Sequence, residues 1–318
     1  MKKDRTIQIV FAPSEIGAGT RGSSLGPESI KIASWDFKSD FFIKHPILEI
    51  PTKNNTIYNS IKFPYAKRIA EIIEVCQNLS KSVEEIITKK KLPVVISGDH
   101  SLAKGTIAGI QNAKKNGQLG LIWIDAHADL HTPYTTPSGN VHGMSLAASL
   151  MLDNAKYKVR PIDESIKKLW ENYKNLSQSK TKINSSDVII LSLRDYEPEE
   201  MEIIKQLKIN VITTNELRKN GVEFTTRKIF KTLQNCTDIY ISLDVDSLDS
   251  SISKGTGTPC SNGLKTKEME DLITKLMENE KIACFEITEI NPTLDNENIM
   301  AEIAFNILRR GVNSYLLN

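Results

Sequence analysis

Short runs rich in Val, Ile and Leu alternate along the 318-residue chain with longer segments of helical periodicity. This alternation is typical of α/β proteins in which helices cover both faces of a mostly parallel sheet. The predicted strands are residues 6–11, 92–97, 119–124, 187–192, 208–212, 238–243 and 281–287. The predicted helices are residues 66–89, 102–114, 142–152, 198–207, 267–278 and 297–309. The sequence therefore predicts an α/β fold built on a mostly parallel β-sheet.

The whole chain, residues 1–318, is predicted to form a single domain, because no linker, repeat or low-complexity segment divides it. Hydrophobic residues make up 40% of the sequence, which is enough for a sizeable core. The polar segment of residues 153–186, rich in Lys, Asn and Ser, is predicted to be a helical surface insertion rather than a second domain.

The charge balance and the N-terminal segment argue against two kinds of partner. The chain has 41 Lys and Arg against 39 Asp and Glu, a net charge of +2, and its basic residues are scattered, which argues against a nucleic-acid-binding protein. No apolar stretch of signal-peptide or transmembrane length follows the N-terminus. We therefore expect a cytoplasmic protein that binds neither nucleic acid nor membranes.

Charged residues directly follow five of the predicted strands. In open parallel sheets, ligands bind beyond the carboxyl ends of the strands, so this edge is the expected functional site. The charged residues that follow the strands include Asp99, His100, Asp125, His127, Asp129, Arg194, Asp195, Asp244, Asp246 and Glu289.

Six of these side chains form a candidate metal site. If strand geometry persists past residue 124, Asp125, His127 and Asp129 point the same way. The candidate ligands are His100, Asp125, His127, Asp129, Asp244 and Asp246. Four carboxylates are too many for a structural zinc site, and two imidazoles are unusual in a calcium site. The mixture suits manganese, with cobalt, iron, nickel or zinc as substitutes, and six ligands favour two ions about 3.5–4 Å apart.

Three segments resemble the signature blocks of the ureohydrolase superfamily, which includes arginase, agmatinase and formimidoylglutamase. They are GDHSL at 98–102, DAHAD at 125–129 and SLDVDSLD at 242–249. The segments TPYTTPSGNVHG at 132–143 and LRDYE at 193–197 are similar to arginases in particular. The resemblance implies the arginase-like three-layer α/β/α fold.

The same resemblance implies two Mn²⁺ ions in each subunit. His100 and Asp129 would bind the first ion, and His127 and Asp246 would bind the second. Asp125 and Asp244 would bridge the pair. The implied reaction is hydrolysis of the guanidinium group of L-arginine to L-ornithine and urea, by attack of a metal-bridging hydroxide. A homo-oligomer, trimer or hexamer, is also implied.

Catalytic roles are implied for three residues. Asp129 would orient the attacking hydroxide through a hydrogen bond. Glu289 would pair with the guanidinium group by a charge-assisted hydrogen bond. His142 would protonate the leaving amine, because histidine titrates near the working pH.

Substrate contacts are implied for residues at the edge of the site. Ser138 and Asn140 would hold the α-carboxylate, and Asp195, together with Glu197, would engage the α-amino group. Thr258 would line the guanidinium pocket.

His131 departs from the family pattern, because arginases usually have an asparagine there that contacts the α-carboxylate. A neutral imidazole can donate one hydrogen bond and a charged one can donate two, so His131 is a candidate carboxylate contact in altered form. Because of His131 and Glu197, a substrate related to L-arginine stays an alternative.

Three other functions are weighed against arginine hydrolysis. Agmatinase or another guanidino-acid ureohydrolase would use the same metal ligands, but polar groups of the Ser138–Asn140 loop would be unpaired with agmatine, which has no carboxylate. A non-catalytic metal-binding homologue is disfavoured because all six ligands, His142 and Glu289 are present. A simple metallophosphatase shares Asp and His clusters, but GDH at 98–100 with the predicted helix after it, and DVDSLD at 244–249, fit that function poorly.

Overall fold

The computed structural model describes residues 5–318 and contains one eight-stranded sheet in which all neighbouring strands are parallel. The strands are β1 (Ile7–Ala12), β2 (Ile47–Glu49), β3 (Leu92–Ser97), β4 (Leu119–Ile124), β5 (Val188–Leu191), β6 (Asn210–Ile212), β7 (Asp238–Asp244) and β8 (Ile282–Thr288). Their order across the sheet is β2-β1-β3-β8-β7-β4-β5-β6. The structure confirms the predicted single-domain α/β fold with a parallel sheet.

Helices cover both faces of this sheet. They are α1 (Gly26–Asp36), α2 (Phe41–Lys44), α3 (Ile69–Thr88), α4 (Ala103–Ala113), α5 (Ser145–Ser149), α6 (Glu164–Lys174), α7 (Pro198–Leu207), α8 (Thr214–Thr232), α9 (Thr266–Leu276) and α10 (Ile299–Leu317). None of the helices within residues 5–318 is long and apolar enough to cross a membrane.

Alternation of side chains along the central strands produces two hydrophobic cores. Val95 of β3 and Leu121 of β4 point into the core that α3 and α4 share, whereas Ile96 and Ile122 point into the core beneath α9 and α10. Strands β3, β4, β7 and β8 are buried along their whole length. Their carboxyl ends are therefore held on a rigid support, which positions the residues that follow them.

Several elements differ from the prediction. Strand β2 was not predicted. It pairs only with β1 at the sheet edge, and two of its three residues are exposed. Helix α1 was also not predicted. Helix α8 was missed as well; its backbone leaves helical geometry at Gly221, where φ is 78°. Residues 142–152 form a 3-10 turn and the short helix α5 instead of one helix.

Helix α10 extends to Leu317, beyond the predicted end at residue 309. Gly311 lies inside it, where a Cβ atom would be 2.9 Å from Cγ2 of Ile273 in α9. The absence of a side chain therefore lets the two helices approach closely enough to bury Val312.

The polar segment of residues 153–186 contains α6, which buries Trp170 and Tyr173 against the core on the α3 side. The Tyr173 hydroxyl donates a hydrogen bond to the backbone oxygen of Ser101, at 2.6 Å. The segment thus reaches the backbone beside His100. Its description as an insertion stays a prediction.

Candidate metal centre and active site

Three aspartates that follow central strands accept a hydrogen bond from the backbone N–H two residues later. Asp99 accepts from Ser101 at 2.9 Å, Asp125 from His127 at 2.7 Å and Asp244 from Asp246 at 2.9 Å. Short polar side chains make turns of this kind in place of continued strand. They bend the chain sharply at the carboxyl edge of the sheet, so that the following residues face a common site.

The expectation that strand geometry continues past residue 124 is wrong. Strand β4 ends at Ile124, and the chain then turns, with Asp129 in the left-handed region at φ 51°. Asp125, His127 and Asp129 therefore do not point at one atom. Asp125 and Asp129 lie with His100, whereas His127 lies with Asp246.

His100 is surrounded by carboxylates. Its Nδ1 atom lies 3.2 Å from Oδ2 of Asp125, 3.1 Å from Oδ2 of Asp129 and 3.2 Å from Oδ2 of Asp244. Its Nε2 atom is hydrogen-bonded to the Ser242 hydroxyl at 2.7 Å, which fixes the ring so that Nδ1 faces the carboxylates.

His127 forms the second group with Asp125 and Asp246. Its Nδ1 atom lies 3.5 Å from Oδ1 of Asp125 and 3.0 Å from Oδ2 of Asp246. Asp125 thus belongs to both groups through different oxygens, the arrangement expected of a bridging ligand. Asp244 contacts the His100 group and accepts from the Asp246 N–H, and its bridging role stays a prediction.

The donor set fits divalent cations. His100 Nδ1 is buried and no partner meets it in hydrogen-bonding geometry, although three carboxylates surround it. A buried polar atom without a partner is costly, and coordination to a cation would satisfy it. Carboxylates are hard ligands, and imidazoles are intermediate in hardness. A set of four carboxylates and two imidazoles suits a first-row divalent ion.

The electrostatics of the cluster also favour a cation. Burial and the charge of Asp125 raise the pKa of the carboxyl groups of Asp129 and Asp244. Asp125 is the exception: its burial acts in the opposite direction, but hydrogen bonds with His100 and His127 lower its pKa. Carboxylates crowded in a buried site repel one another, and a divalent cation would remove that repulsion.

His142 lies beside the metal candidates and is tied to Glu289. Its Nδ1 atom is 2.9 Å from Oε1 of Glu289, and the same oxygen accepts a hydrogen bond from the His100 backbone N–H at 2.9 Å. Burial alone would lower the pKa of His142, but the charge of Glu289 and this hydrogen bond raise it to about 9. Glu289 is itself buried behind His142.

The Ser138–Asn140 loop forms one rim of the site. Gly139 has φ 75°, and a Cβ atom there would collide with the Pro64 backbone oxygen, so the loop requires glycine. The Asn140 side-chain oxygen accepts a hydrogen bond from Lys67 Nζ at 3.1 Å. This leaves the Asn140 amide N–H groups as donors and places a positive charge beside them.

The opposite rim is acidic. His131 Nε2 lies 2.9 Å from Oε2 of Glu197. Asp195 is largely exposed, and its Oδ2 atom lies 3.6 Å from Nε2 of His127. Glu200 is buried between the segment of His131 and the start of α7. It accepts hydrogen bonds there from the backbone N–H groups of Leu130 and Glu197, both at 3.1 Å.

A cavity of about 200 Å³ connects these parts. Its lining residues are His100, His127, Asp129, His131, Thr136, Pro137, Ser138, Asn140, His142, Gly143, Glu197, Glu200, Asp244, Asp246 and Thr258. Of the predicted site residues, Asp125, Asp195 and Glu289 are outside this lining. Asp125 is buried and touches both imidazoles, and Glu289 lies behind His142.

Four residues with a role in the site were not among the predicted site residues. Trp123 donates from Nε1 to Oδ2 of Asp125 at 3.0 Å, and its ring stacks on His100 with centroids 4.2 Å apart. Ser242 is hydrogen-bonded to the His100 ring, and Lys67 donates to the Asn140 side chain. Glu200 accepts a hydrogen bond from the Glu197 backbone N–H. Glu200 had a sequence signal, because an acid three residues after the start of a helix is a capping-box position.

Comparisons with known proteins identify the family of the chain. The Arginase family profile matches residues 5–312. An arginase from Brevibacillus brevis is 32% identical over 313 residues, which are 95% of each chain. An arginase from Bacillus subtilis (strain 168) is 31% identical over 316 residues, which are 99% of this chain and 100% of the relative.

A crystal structure of arginase from Bacillus subtilis subsp. subtilis str. 168 has the same fold. It superposes with a TM-score of 0.81 at 30% identity, over 97% of this chain and 98% of that one. The chain therefore belongs to the arginase family, and it is a hydrolase that acts on a linear amidine C–N bond.

Proposed function

We propose that the chain hydrolyses the guanidinium group of L-arginine to L-ornithine and urea, at a site that holds two Mn²⁺ ions. The observation that carries this proposal is the pair of ligand groups that share Asp125 beneath a cavity whose rim is the Ser138–Asn140 loop. Two groups with one shared carboxylate suit two ions, and the loop suits a substrate that bears a carboxylate.

His100 and Asp129 would hold one ion, and His127 and Asp246 would hold the other. Asp125, which contacts both imidazoles, would serve both ions, and Asp244 would be the second bridging ligand. Bound divalent cations would supply Lewis acidity that makes water nucleophilic near neutral pH. The carboxylate-rich ligand set supports manganese.

His142 would protonate the amine that leaves the guanidinium carbon. Its Nδ1 atom is held by Glu289, which leaves Nε2 as the ring atom that can donate a proton. The raised pKa of His142, about 9, keeps the ring protonated at neutral pH. The direct contact between Glu289 and the guanidinium group stays a prediction, since Glu289 lies behind His142.

The substrate carboxylate would bind at the Ser138–Asn140 rim. Ser138 and the Asn140 amide can donate hydrogen bonds, and Lys67 adds positive charge 3.1 Å from the Asn140 oxygen. Glu197 and Asp195 on the acidic rim would face the α-amino group. The Thr258 hydroxyl donates a hydrogen bond to Oδ2 of Asp246 at 2.9 Å. Thr258 would therefore orient a metal ligand as well as line the guanidinium pocket.

The predicted homo-oligomer, a trimer or hexamer, and the predicted cytoplasmic location rest on the resemblance and the N-terminal composition. Multi-angle light scattering of the purified protein tests the first of these. A monomer at micromolar concentration would contradict it.

Urea release by Mn²⁺-loaded protein tests the substrate. We expect rapid release from L-arginine and at least about 100-fold lower kcat/KM for agmatine, because loss of the carboxylate leaves the partly buried Asn140 amide without its anionic partner. A preference for agmatine would favour the agmatinase alternative. Release from no guanidino compound would favour a non-catalytic homologue.

A further inference from the structure

The side chain of His131 has both ring nitrogens engaged. Nε2 lies 2.9 Å from Oε2 of Glu197, and Nδ1 lies 3.3 Å from the Thr135 hydroxyl oxygen. That oxygen accepts the Thr132 backbone N–H at 3.0 Å, and its own proton is free to point at Nδ1. The His131 backbone is fixed as well, because its N–H donates to the Gly143 oxygen at 3.1 Å.

The direction of the hydrogen bond between His131 and Glu197 does not depend on the protonation of the ring. An ionised carboxylate only accepts, so Nε2 carries the proton in this contact whether the ring is neutral or charged. Nδ1 faces Thr135 in either case. No N–H of the ring remains for a substrate carboxylate.

Glu197 is held by two contacts at the start of α7. Its carboxylate accepts from His131, and its backbone N–H donates to Oε2 of Glu200 at 3.1 Å. Oε1 of Glu200 accepts from Leu130, which joins the segment of His131 to the helix. The Glu197 side chain is nevertheless 46% exposed and lines the cavity, so its remaining lone pairs are accessible to a ligand.

Glu197 stays an anion in this setting. Burial and the hydrogen bond with Glu197 raise the pKa of Glu200 to about 9, so Glu200 is the protonated donor of this bond. The bond is the largest effect that lowers the pKa of Glu197, and the charge of His131 acts in the same direction. Asp195, the other acid of the rim, is 67% exposed and lies against His127, a predicted metal ligand. Glu197 is therefore the acid on this rim that is both held in place and open to the cavity.

We propose that His131 is a positioning residue that holds Glu197 ready for the ammonium group of an α-amino acid, and that it does not contact the substrate carboxylate. The proposal deepens the proposed function and rests on it. Glutamate has three rotatable side-chain bonds, and ordering them on binding costs affinity. A hydrogen bond from His131 orders the carboxylate before the substrate arrives.

The test compares two substrates that differ only in the ammonium group, L-arginine and 5-guanidinopentanoate. His131→Phe keeps a ring but removes the donor, and we expect it to raise KM for arginine about tenfold with kcat within about twofold, the signature of lost ground-state binding. Kinetics with 5-guanidinopentanoate are expected to change by less than about twofold, since it has no group for Glu197 to meet.

Two further variants separate positioning from a general structural role. His131→Gln can reach Glu197 with an amide N–H in place of Nε2, so it is expected to keep the preference for arginine. Glu197→Ala is expected to abolish the preference for arginine over 5-guanidinopentanoate, and adding His131→Phe to the Glu197→Ala protein is expected to have no further effect. His45→Phe, the same substitution at a histidine packed on Phe41 away from the cavity, is the matched control.

The outcomes are distinguishable. Equal losses on both substrates in His131→Phe, or a full loss in the Glu197→Ala background, would overturn the positioning role while arginine hydrolysis stands. If the Phe variant does not fold, loss of preference in His131→Gln overturns the proposal and retention supports it. If the wild-type protein releases urea from neither substrate, the proposed function fails, and this inference fails with it.

Discussion

Asp125→Asn is expected to remove most of the thermal stabilisation that Mn²⁺ gives to the protein. Asp125 is buried, and its two oxygens contact the two imidazoles separately. The substitution preserves shape but removes the negative charge that both ligand groups share. Because neither group is complete without it, both ions should bind more weakly, whereas loss of a ligand in one group alone would affect mainly one ion.

The magnitude follows from linkage. Each ion present at 100 times its dissociation constant stabilises the folded state by about 2.7 kcal/mol. A chain of 318 residues has an unfolding entropy of about 0.67 kcal/mol per kelvin, so each ion raises Tm by roughly 4 °C and two ions by roughly 8 °C. The Asn variant should show less than about 2 °C under the same conditions.

Differential scanning calorimetry with and without Mn²⁺, on protein first stripped with a chelator, measures these shifts. Asp36→Asn changes an exposed aspartate of α1 and is the matched control, which should keep the full rise. A full Mn²⁺-dependent rise in the Asp125→Asn protein would refute the reasoning, because it would mean that the ions bind without the shared carboxylate.

Four further substitutions test other parts of the site. His142→Asn should lower kcat at least about 100-fold with unchanged metal content, and wild-type activity, which needs protonated His142, should fall as pH rises through about 9. Glu289→Gln removes the main interaction that raises the pKa of His142, so the alkaline limb of the kcat profile should move to lower pH. An unmoved limb would argue against the pairing of His142 with Glu289. Lys67→Met should reduce kcat/KM for arginine by about two- to fivefold and leave agmatine unaffected, whereas equal losses would mean that Lys67 supports only the fold. Thr258→Val should weaken Mn²⁺ binding about 10- to 100-fold in a calorimetric titration, and unchanged affinity would contradict its role in orienting Asp246.

Periodicity and composition were sufficient to predict seven of the strands. The apolar runs of six of them are buried on both faces, and the partly exposed edge strand β6 was found from the short apolar run of Val211 and Ile212. Strand β2 could not be found in this way, since two of its three residues are exposed and it has no buried apolar run. The position of β2 depends on backbone pairing with β1, and the pattern of side chains does not predict that pairing.

The six candidate ligands could be found from their spacing, but spacing alone does not group them, and the predicted grouping came from the family resemblance. Asp129 joins His100 rather than His127 because the chain turns after Ile124 and Asp129 takes a left-handed backbone conformation. The partners that hold the site are still harder to predict. Ser242 and Trp123 reach His100 from the interiors of β7 and β4, where each is an ordinary buried strand residue in the sequence.

The pairing of His131 with Glu197 also depends on tertiary structure. The two residues are 66 positions apart and meet because Glu200 ties the start of α7 to the backbone of Leu130. From the sequence, His131 was a candidate carboxylate contact. Its two engaged nitrogens favour a role in placing Glu197 instead.

The number of Mn²⁺ ions bound per chain at full activity tests the central claim most directly. Metal-free protein is titrated with Mn²⁺, bound metal is measured by mass spectrometry after gel filtration, and urea release from L-arginine is followed in the same samples. We predict two ions per chain and a rate that reaches its plateau only as the second ion binds. A plateau at one ion, or full urea release from metal-free protein, would contradict the account.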